Sequence, residues 1–492
     1  MPIMSKSHDL ATMKRWIADQ TALGPRRPGS PAGQRQEDQL AETLSSLGFS
    51  SVRKEPIPLT YWDTTESRLS VTGPQGTREL ECFPVPYSAF TSETSPNGPL
   101  HGTLVWGEQA GWKNADWKGA IVVAEIRFPM LSGKGLRKLA FDFIDRDGAL
   151  PGILHPATWV RLGWHLYLRA VAKGAAGFIG ILADQPGGSC RMFAPYGFRE
   201  KDILNKPVPG VWVSRADGPF LKSLAQSGQG SAQLVSLGIR QESVSHNIVA
   251  ELPGESTEAM VLTCHHDSPF RSPVEDASGV ATVLSIAQHM ARTRPLKRRL
   301  IVLLTAGHFY GSIGTRTFIE QHQNDFLKDV VFTLSIEHIA REAQEDPVGI
   351  LTPTGKSEPA GIFLSFNEVL RRGILSEAKA FGLDRCMLLP AEGPLGNYPP
   401  TDGGDWYAAN IPIVNYISNP VYLLTEDDDD PWVDEENLPR VAGAFSALLT
   451  SLDAVPRDRL SRCDYPIRRA WMKLLRWVTQ IRTTRFGSRP IH

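Results

Sequence analysis

From Asn247 onward the chain repeats one pattern, an apolar run, a polar loop and an amphipathic segment, and this alternation restricts the fold more than any other feature. The spacing predicts strands at 248–252, 260–264, 300–305, 331–336 and 411–417. It also predicts a helix after Ser278 that buries Val280, Val283, Leu284 and Ala287 at i, i+3, i+4 and i+7. Strands alternating with helices imply an α/β fold with a mixed, mostly parallel sheet covered on both faces. In such sheets ligands bind beyond the carboxyl ends of the strands.

Polar side chains gather at those ends. The run 260–264 closes on His265-His266-Asp267, and an Asp two residues after a His can orient the imidazole of a metal ligand. Glu275 and Asp276 follow, just before the predicted helix; acids there also serve as ordinary caps. His308 and Phe309 stand after the run 300–305, Glu337 and His338 after 331–336, and Thr401-Asp402 before 411–417. Tyr422-Leu423-Leu424-Thr425 leads into the acidic run 426–430. A single polar strand end is ordinary, whereas several in one sheet mark a candidate site.

Upstream, Gly24-Pro25-Arg26-Arg27-Pro28-Gly29-Ser30-Pro31 is a turn by its Pro and Gly content. Between 76 and 240 short apolar runs alternate with Gly and Pro turns, which reads as a β-rich inserted domain. The stretch from Phe128 to Ala172 is longer than a plain connection needs and carries His155, Trp164 and His165. These boundaries divide the chain into an α/β domain of residues 1–75 and 241–455, an insert of 76–240, and a basic amphipathic helix within 456–492.

In order and spacing the series resembles the superfamily of bacterial leucyl aminopeptidases, glutamate carboxypeptidase and glutaminyl cyclases. The likeness runs from the 24–31 turn through a protease-associated-type insert, His265-x-Asp267, Asp276-Ala277-Ser278-Gly279, Gly311-x-x-Gly314-Thr315 and Glu337 to the segment 430–438. It implies the fold above with the insert overhanging the site. It also implies two zinc ions, one held by a first His and a later acid, the other by a Glu and a late His, with an acid bridging them. His265 matches the first His, Glu275 the bridging acid and Glu337 the later acid. The paired Glu-Glu of the family, general base then ligand, falls on His308 and Phe309, and the late His falls on Leu424. Both replaced ligands belong to one ion, and replacing two acids by His308 and Phe309 removes the negative charge that ion would have balanced.

The resemblance therefore implies a hydrolase of an amide or related C–N bond with one retained divalent ion on His265, Glu275 and Glu337. Zinc is the expected metal, and manganese or iron would suit the same donors. Three ligands leave an open position. His308 stands in the base position, and imidazole exchanges protons near neutral pH. It serves there as base, as a fourth ligand or as a packed side chain. His266, Asp267, Asp276 and His338 are supporting groups or alternative ligands. Phe309, Leu424, His155, Trp164 and His165 are read as the substrate pocket. Free-amine aminopeptidase chemistry is not expected, because Phe309 and Leu424 offer an ammonium no partner. The rival readings are a silent binding scaffold and a two-metal peptidase in which His308 or His338 substitutes for a lost ligand.

Lys and Arg number 52 against 53 Asp and Glu, so no global field attracts nucleic acid. The partner expected is a small or short peptide-like amide. Five cysteines without a CxxC spacing point to a reducing compartment, and the absence of a signal-like or membrane-spanning apolar run makes the cytoplasm the expected location. In the tail, Trp471, Leu474, Leu475 and Val478 form an apolar stripe flanked by Arg468, Arg469, Lys473, Arg476 and Arg482. Docking of this stripe on its own domain, or on a second subunit to make a homo-oligomer, is the expectation; a membrane surface or a partner groove is the alternative.

Overall fold

The computed structural model describes residues 8–95, 98–108, 116–158, 164–194, 206–293, 295–393, 396 and 398–485. In chain order, helices α1 (Leu10–Thr21) and α2 (Pro31–Ser46) lead into a long strand, β1 (Ser50–Gly73). Then come β2 (Leu100–Trp106), β3 (Ile121–Ile126), β4 (Asp142–Ile144), α3 (Trp164–Ala172), β5 (Gly177–Leu182), β6 (Gly210–Ser214) and α4 (Gly218–Ser227). A second long strand, β7 (Ser231–Leu252), precedes β8 (Ala259–His265), α5 (Gly279–Arg292), β9 (Arg299–Thr305), α6 (Ile313–His322) and β10 (Val330–Ile336). The remainder holds β11 (Ala360–Leu364), α7 (Glu368–Ala380), β12 (Cys386–Pro390), β13 (Ile413–Ser418), α8 (Asn437–Leu452) and α9 (Pro466–Arg485).

The body is a mixed sheet in the order β7-β9-β8-β10-β13-β11-β12-β4. Its four central strands, β9, β8, β10 and β13, run parallel. They are buried and mostly apolar because both faces are covered. Val302 and Leu304 face one core, shared with Val280, Leu284 and Leu448, while Ile301 and Leu303 face another, shared with Phe318 and Trp406. The predicted strands at 260–264, 300–305, 331–336 and 411–417 are β8, β9, β10 and β13, and the predicted helix is α5.

Strands β1 and β7 pair antiparallel almost end to end, from Ser50↔Glu251 to Thr72↔Ser231. One end of β7 joins the body through Ile248↔Leu304, and the other joins β2 through Ser231↔Thr103. That single strand therefore runs through both lobes and makes one continuous sheet of them.

The insert carries more strand than helix, and its main strands pair in parallel. Strands β2, β3, β5 and β6 run parallel, with α3 and α4 packed against them. All six residues of β5, from Gly177 to Leu182, are buried, which explains the run: a strand covered on both faces shows no alternation. The insert is also not self-contained. Its excursion at 130–156 returns to the body, where β4 becomes the edge strand beside β12 (Cys386↔Ile144).

Helix α9 meets the body through Met472, which is buried, through Arg468 donating to the Leu139 and Ala140 carbonyls, and through Arg469 paired with Glu392. The expected docking of its apolar stripe on its own domain does not occur. Trp471 is 53% exposed and Leu474 50%, and Val478 also faces outward, because the basic side chains make the contact instead. Among the described residues no helix is long and apolar enough to cross a membrane.

Asn247 in β7 fixes the loop that leaves β9. Its Oδ1 accepts from the Ala306 N–H at 3.0 Å and its Nδ2 donates to the Gly314 carbonyl at 2.9 Å, with all three residues buried. Gly314 is required there, since an added Cβ would lie 2.3 Å from the Ala306 carbonyl oxygen. Asn247→Ala leaves the buried Ala306 N–H without this partner and is expected to cost about 1–3 kcal/mol, the range for one unmet group. Urea unfolding measures this, and an unchanged midpoint would contradict the latch.

Candidate metal centre and its pocket

Successive side chains of a strand point to opposite faces, and the end of β8 separates its two histidines accordingly. His265 turns into the cluster at the strand ends. His266 turns away, its Nε2 lying 3.0 Å from the His246 carbonyl, so it is not an alternative ligand. Asp267 was expected to orient His265, yet the nearest group to His265 Nδ1 is the Asp267 carbonyl at 3.1 Å, with the carboxylate at 3.7 Å. That carboxylate instead accepts the backbone N–H groups of His308 and Phe309, each at 3.1 Å, and so places the loop after β9.

The loop from His265 to Glu275 is held from outside. Arg26, fully buried, donates to the carbonyls of Arg271 at 2.7 Å and Ser272 at 3.1 Å, while Arg27 donates to the Pro269 carbonyl at 2.9 Å. The arginines of the 24–31 turn thus act as a clamp on the site loop. Asp428 holds the end of that loop, its carboxylate accepting from Val274 N at 3.1 Å and Glu275 N at 2.9 Å. Burial pushes Asp428 up to about 7. Asp276 accepts from the N–H groups of Gly279 and His338 and from the Cys264 thiol, which joins three elements behind the cluster. Its position is structural, and burial raises it to about 6.

Within the cluster, His265 Nε2 lies 3.4 Å from Glu275 Oε1. His338 Nδ1 donates to the Ser418 carbonyl at 2.9 Å, which turns Nε2 onto Glu275 Oε2 in a close ion pair. Burial opposes charge on His338, but the Glu275 carboxylate outweighs it and pushes the imidazole up to about 10. Glu275 is held well below the usual carboxylate range: burial raises it, and His338 and His265 more than reverse that. Glu337 accepts from the Asp402 N–H at 3.1 Å and from Asn415 Nδ2 at 3.3 Å. It is pushed far above its ordinary value, by burial first and then by the neighbouring Asp402. His308 stacks on His265 with ring centroids 4.0 Å apart, and its Nδ1 lies 2.9 Å from Asp402 Oδ1.

Three buried polar atoms here have no hydrogen-bond partner, His265 Nε2, Glu337 Oε2 and Asp402 Oδ2, while His338 Nε2 and Glu275 Oε2 meet each other. Unmet polar atoms cost about 1–3 kcal/mol each, so their convergence fits a bound cation. Among the described residues the triads with mutually close donor atoms are His265/Glu337/His338, His265/Glu275/His308 and His308/Glu337/Asp402. The expected set His265, Glu275 and Glu337 is not one of these triads: His265 joins Glu337 in one and Glu275 in another, with His338 or His308 as the third donor. Asp402 completes the cluster and was not assigned a role from sequence, although its place before β13 was visible. Asp428 carried no signal beyond lying in an acidic run.

The cluster floors a largely apolar cavity to which Glu275, His308, Glu337 and His338 contribute, walled by residues such as Leu131 and Ile153 of the insert and Phe363, Met387, Leu389 and Leu424 of the body. Of the expected pocket residues, His155 and Leu424 line it. Phe309 does not. It is buried behind the cluster, edge-on to His265 at 5.9 Å and to Phe193 at 5.7 Å. His165 is exposed on α3 and does not line the cavity, because the insert's helix packs on its own sheet; the Trp164 side chain lies outside the described residues.

The sequence profile of Peptidase family M28 matches residues 247–373. No curated protein matches the chain by sequence. Among solved structures, the Peptidase M28 precursor from Shewanella amazonensis is similar at a TM-score of 0.66 and 18% identity, over 91% of this chain and 94% of that one. The zinc aminopeptidase from Bacillus subtilis gives 0.63 and 18%, over 92% and 95%. The aminopeptidase from Aneurinibacillus sp. strain AM-1 gives 0.60 and 17%, over 91% and 94%. Residues 247–373 thus match the Peptidase family M28 profile, within a chain whose fold is similar to that of the zinc aminopeptidases.

Proposed function

We propose that the protein is a metal-dependent hydrolase of an amide or related C–N bond, with one divalent ion on His265, Glu275 and Glu337. The observation that carries the proposal is the convergence of buried donors from His265, Glu275, Glu337, His338 and Asp402 at the strand ends, three of them with an atom that lacks a partner. Zinc is the first expectation, given what the similar zinc aminopeptidases are named for, and manganese or iron suit the same His and carboxylate set. A divalent ion at such a site supplies Lewis-acid polarisation and a water nucleophile near neutral pH.

The remaining work falls to side chains. His338, fixed through Nδ1 on the Ser418 carbonyl, presents Nε2 beside Glu275 and is within reach as a further ligand. Asp402 fixes the other face of the chemistry: with its carboxylate on His308 Nδ1, the imidazole proton is held there and Nε2 becomes the accepting end. His308 takes the proton of the attacking water and returns it to the leaving nitrogen as the C–O bond forms and the C–N bond breaks. The apolar wall receives the group beside the scissile bond, and Leu424 offers nothing to an ammonium there. The rival with two ions has its own support, because His308, Glu337 and Asp402 form a further triad beside the first.

Three outcomes test the proposal. His265→Ala is expected to abolish divalent-ion binding measured by equilibrium titration, and full retention by that variant would remove the assignment. His308→Ala should keep the ion and the fold while turnover falls about 10²–10⁴-fold, the range for loss of a general base; loss of the ion together with activity would make His308 a ligand. Across matched amides with free or acylated amines, the acylated series should be cleaved faster, since burying an ammonium without a partner costs several kcal/mol. Faster cleavage of the free-amine series would mean that the site works as an aminopeptidase.

A further inference from the structure

The cavity wall carries one polar group of side chains that the chemistry above does not use. His155, from the excursion of the insert, pairs through Nδ1 with Glu358 Oε1 at 2.9 Å. Glu358 is 3% exposed and immediately precedes β11, and its other oxygen, Oε2, has no hydrogen-bond partner. Asn419, just after β13, donates through Nδ2 to the Pro156 carbonyl at 3.4 Å, while its buried Oδ1 also lacks a partner. All three residues line the same cavity as His308 and Glu337. None belongs to the possible metal triads.

Two orphaned acceptors in an otherwise apolar wall, supplied by strand ends of the body and held by a histidine of the insert, have the chemistry of a recognition point. Burial without a donor is costly, so the partner is supplied by what enters the cavity. The charge of that partner is restricted as well. Burial opposes charge on His155, yet its hydrogen bond to Glu358 and the charge of that carboxylate raise it above the ordinary imidazole value. The His155–Glu358 pair is therefore neutral as a unit. A cationic ligand would leave one buried positive charge unbalanced, whereas a neutral group with two N–H donors meets both oxygens and leaves none.

The geometry points to a specificity subsite in which Glu358 Oε2 and Asn419 Oδ1 accept the two N–H bonds of a primary carboxamide carried by the substrate's apolar group. This subsite rests on the hydrolase reading for its place beside the scissile bond, but its binding is measurable without turnover. The probes are aliphatic primary amides, their isosteric methyl ketones and the corresponding alkylammonium ions, titrated calorimetrically into the metal-loaded full-length protein.

The amide is expected to bind about 10–100-fold more tightly than the ketone, the span for a hydrogen bond to a charged acceptor. Glu358→Gln should reduce that preference at least about tenfold, and Asn419→Leu should reduce it in part. Equal binding of amide and ketone to the unaltered protein would overturn the subsite without any variant having to fold. Tighter binding of the ammonium would overturn its neutral chemistry. Amide preference without hydrolysis of any amide keeps the subsite and removes the hydrolase reading; hydrolysis without the preference does the reverse.

Discussion

The site is governed by buried negative charge. Asp267, Glu275, Asp276, Glu337 and Asp402 all lie at most 1% exposed at neighbouring strand ends, with His265, His308 and His338 among them. Carboxylates so placed cannot all ionise in a dry interior unless positive charge is supplied. The protein by itself meets the constraint by pushing Glu337 and Asp276 upward while charging His338 against Glu275. A divalent ion would meet it more directly, by taking the unpartnered donor atoms as ligands and balancing the ionised carboxylates.

Much of the surrounding structure exists to hold this arrangement. The Arg26 and Arg27 guanidinium groups clamp the loop after β8, Asp428 seats the Glu275 backbone, and Asp267 seats that of His308. Asn247 ties the loop after β9 to β7, which also carries the insert lobe. Loops beyond strand ends have few backbone partners of their own, so buried side chains supply them. These residues explain why the arginine turn and the acidic run, distant in sequence, occur together with the strand-end motifs.

The parallel core was legible because its strands are buried on both faces and appear as uninterrupted apolar runs. His265, His308, Glu337 and His338 were legible because each follows such a run, and Glu275 because it stands just before a helix. The parallel pairing of the insert was not legible, since a six-residue run such as Gly177–Leu182 has the same appearance in a parallel sheet with helices as in an antiparallel one. His266 was a supporting candidate beside His265, and strand alternation at the end of β8 turns it away from the cluster. Glu358, Asn419 and Asp428 carry no local signal. Their importance arises from what the fold packs against them, as does the outward turn of the Trp471 stripe, which follows from basic side chains taking the contact with the body.

The central claim is that one ion completes the cluster. Crystals of the zinc-loaded protein, measured by anomalous diffraction at the zinc edge, test it directly. The account predicts a single strong peak within bonding distance of His265, Glu275 and Glu337, with His308 Nε2 outside that distance. Two peaks, the second beside Asp402 and His308, would contradict the one-ion site, and the absence of any peak would contradict the metal centre itself.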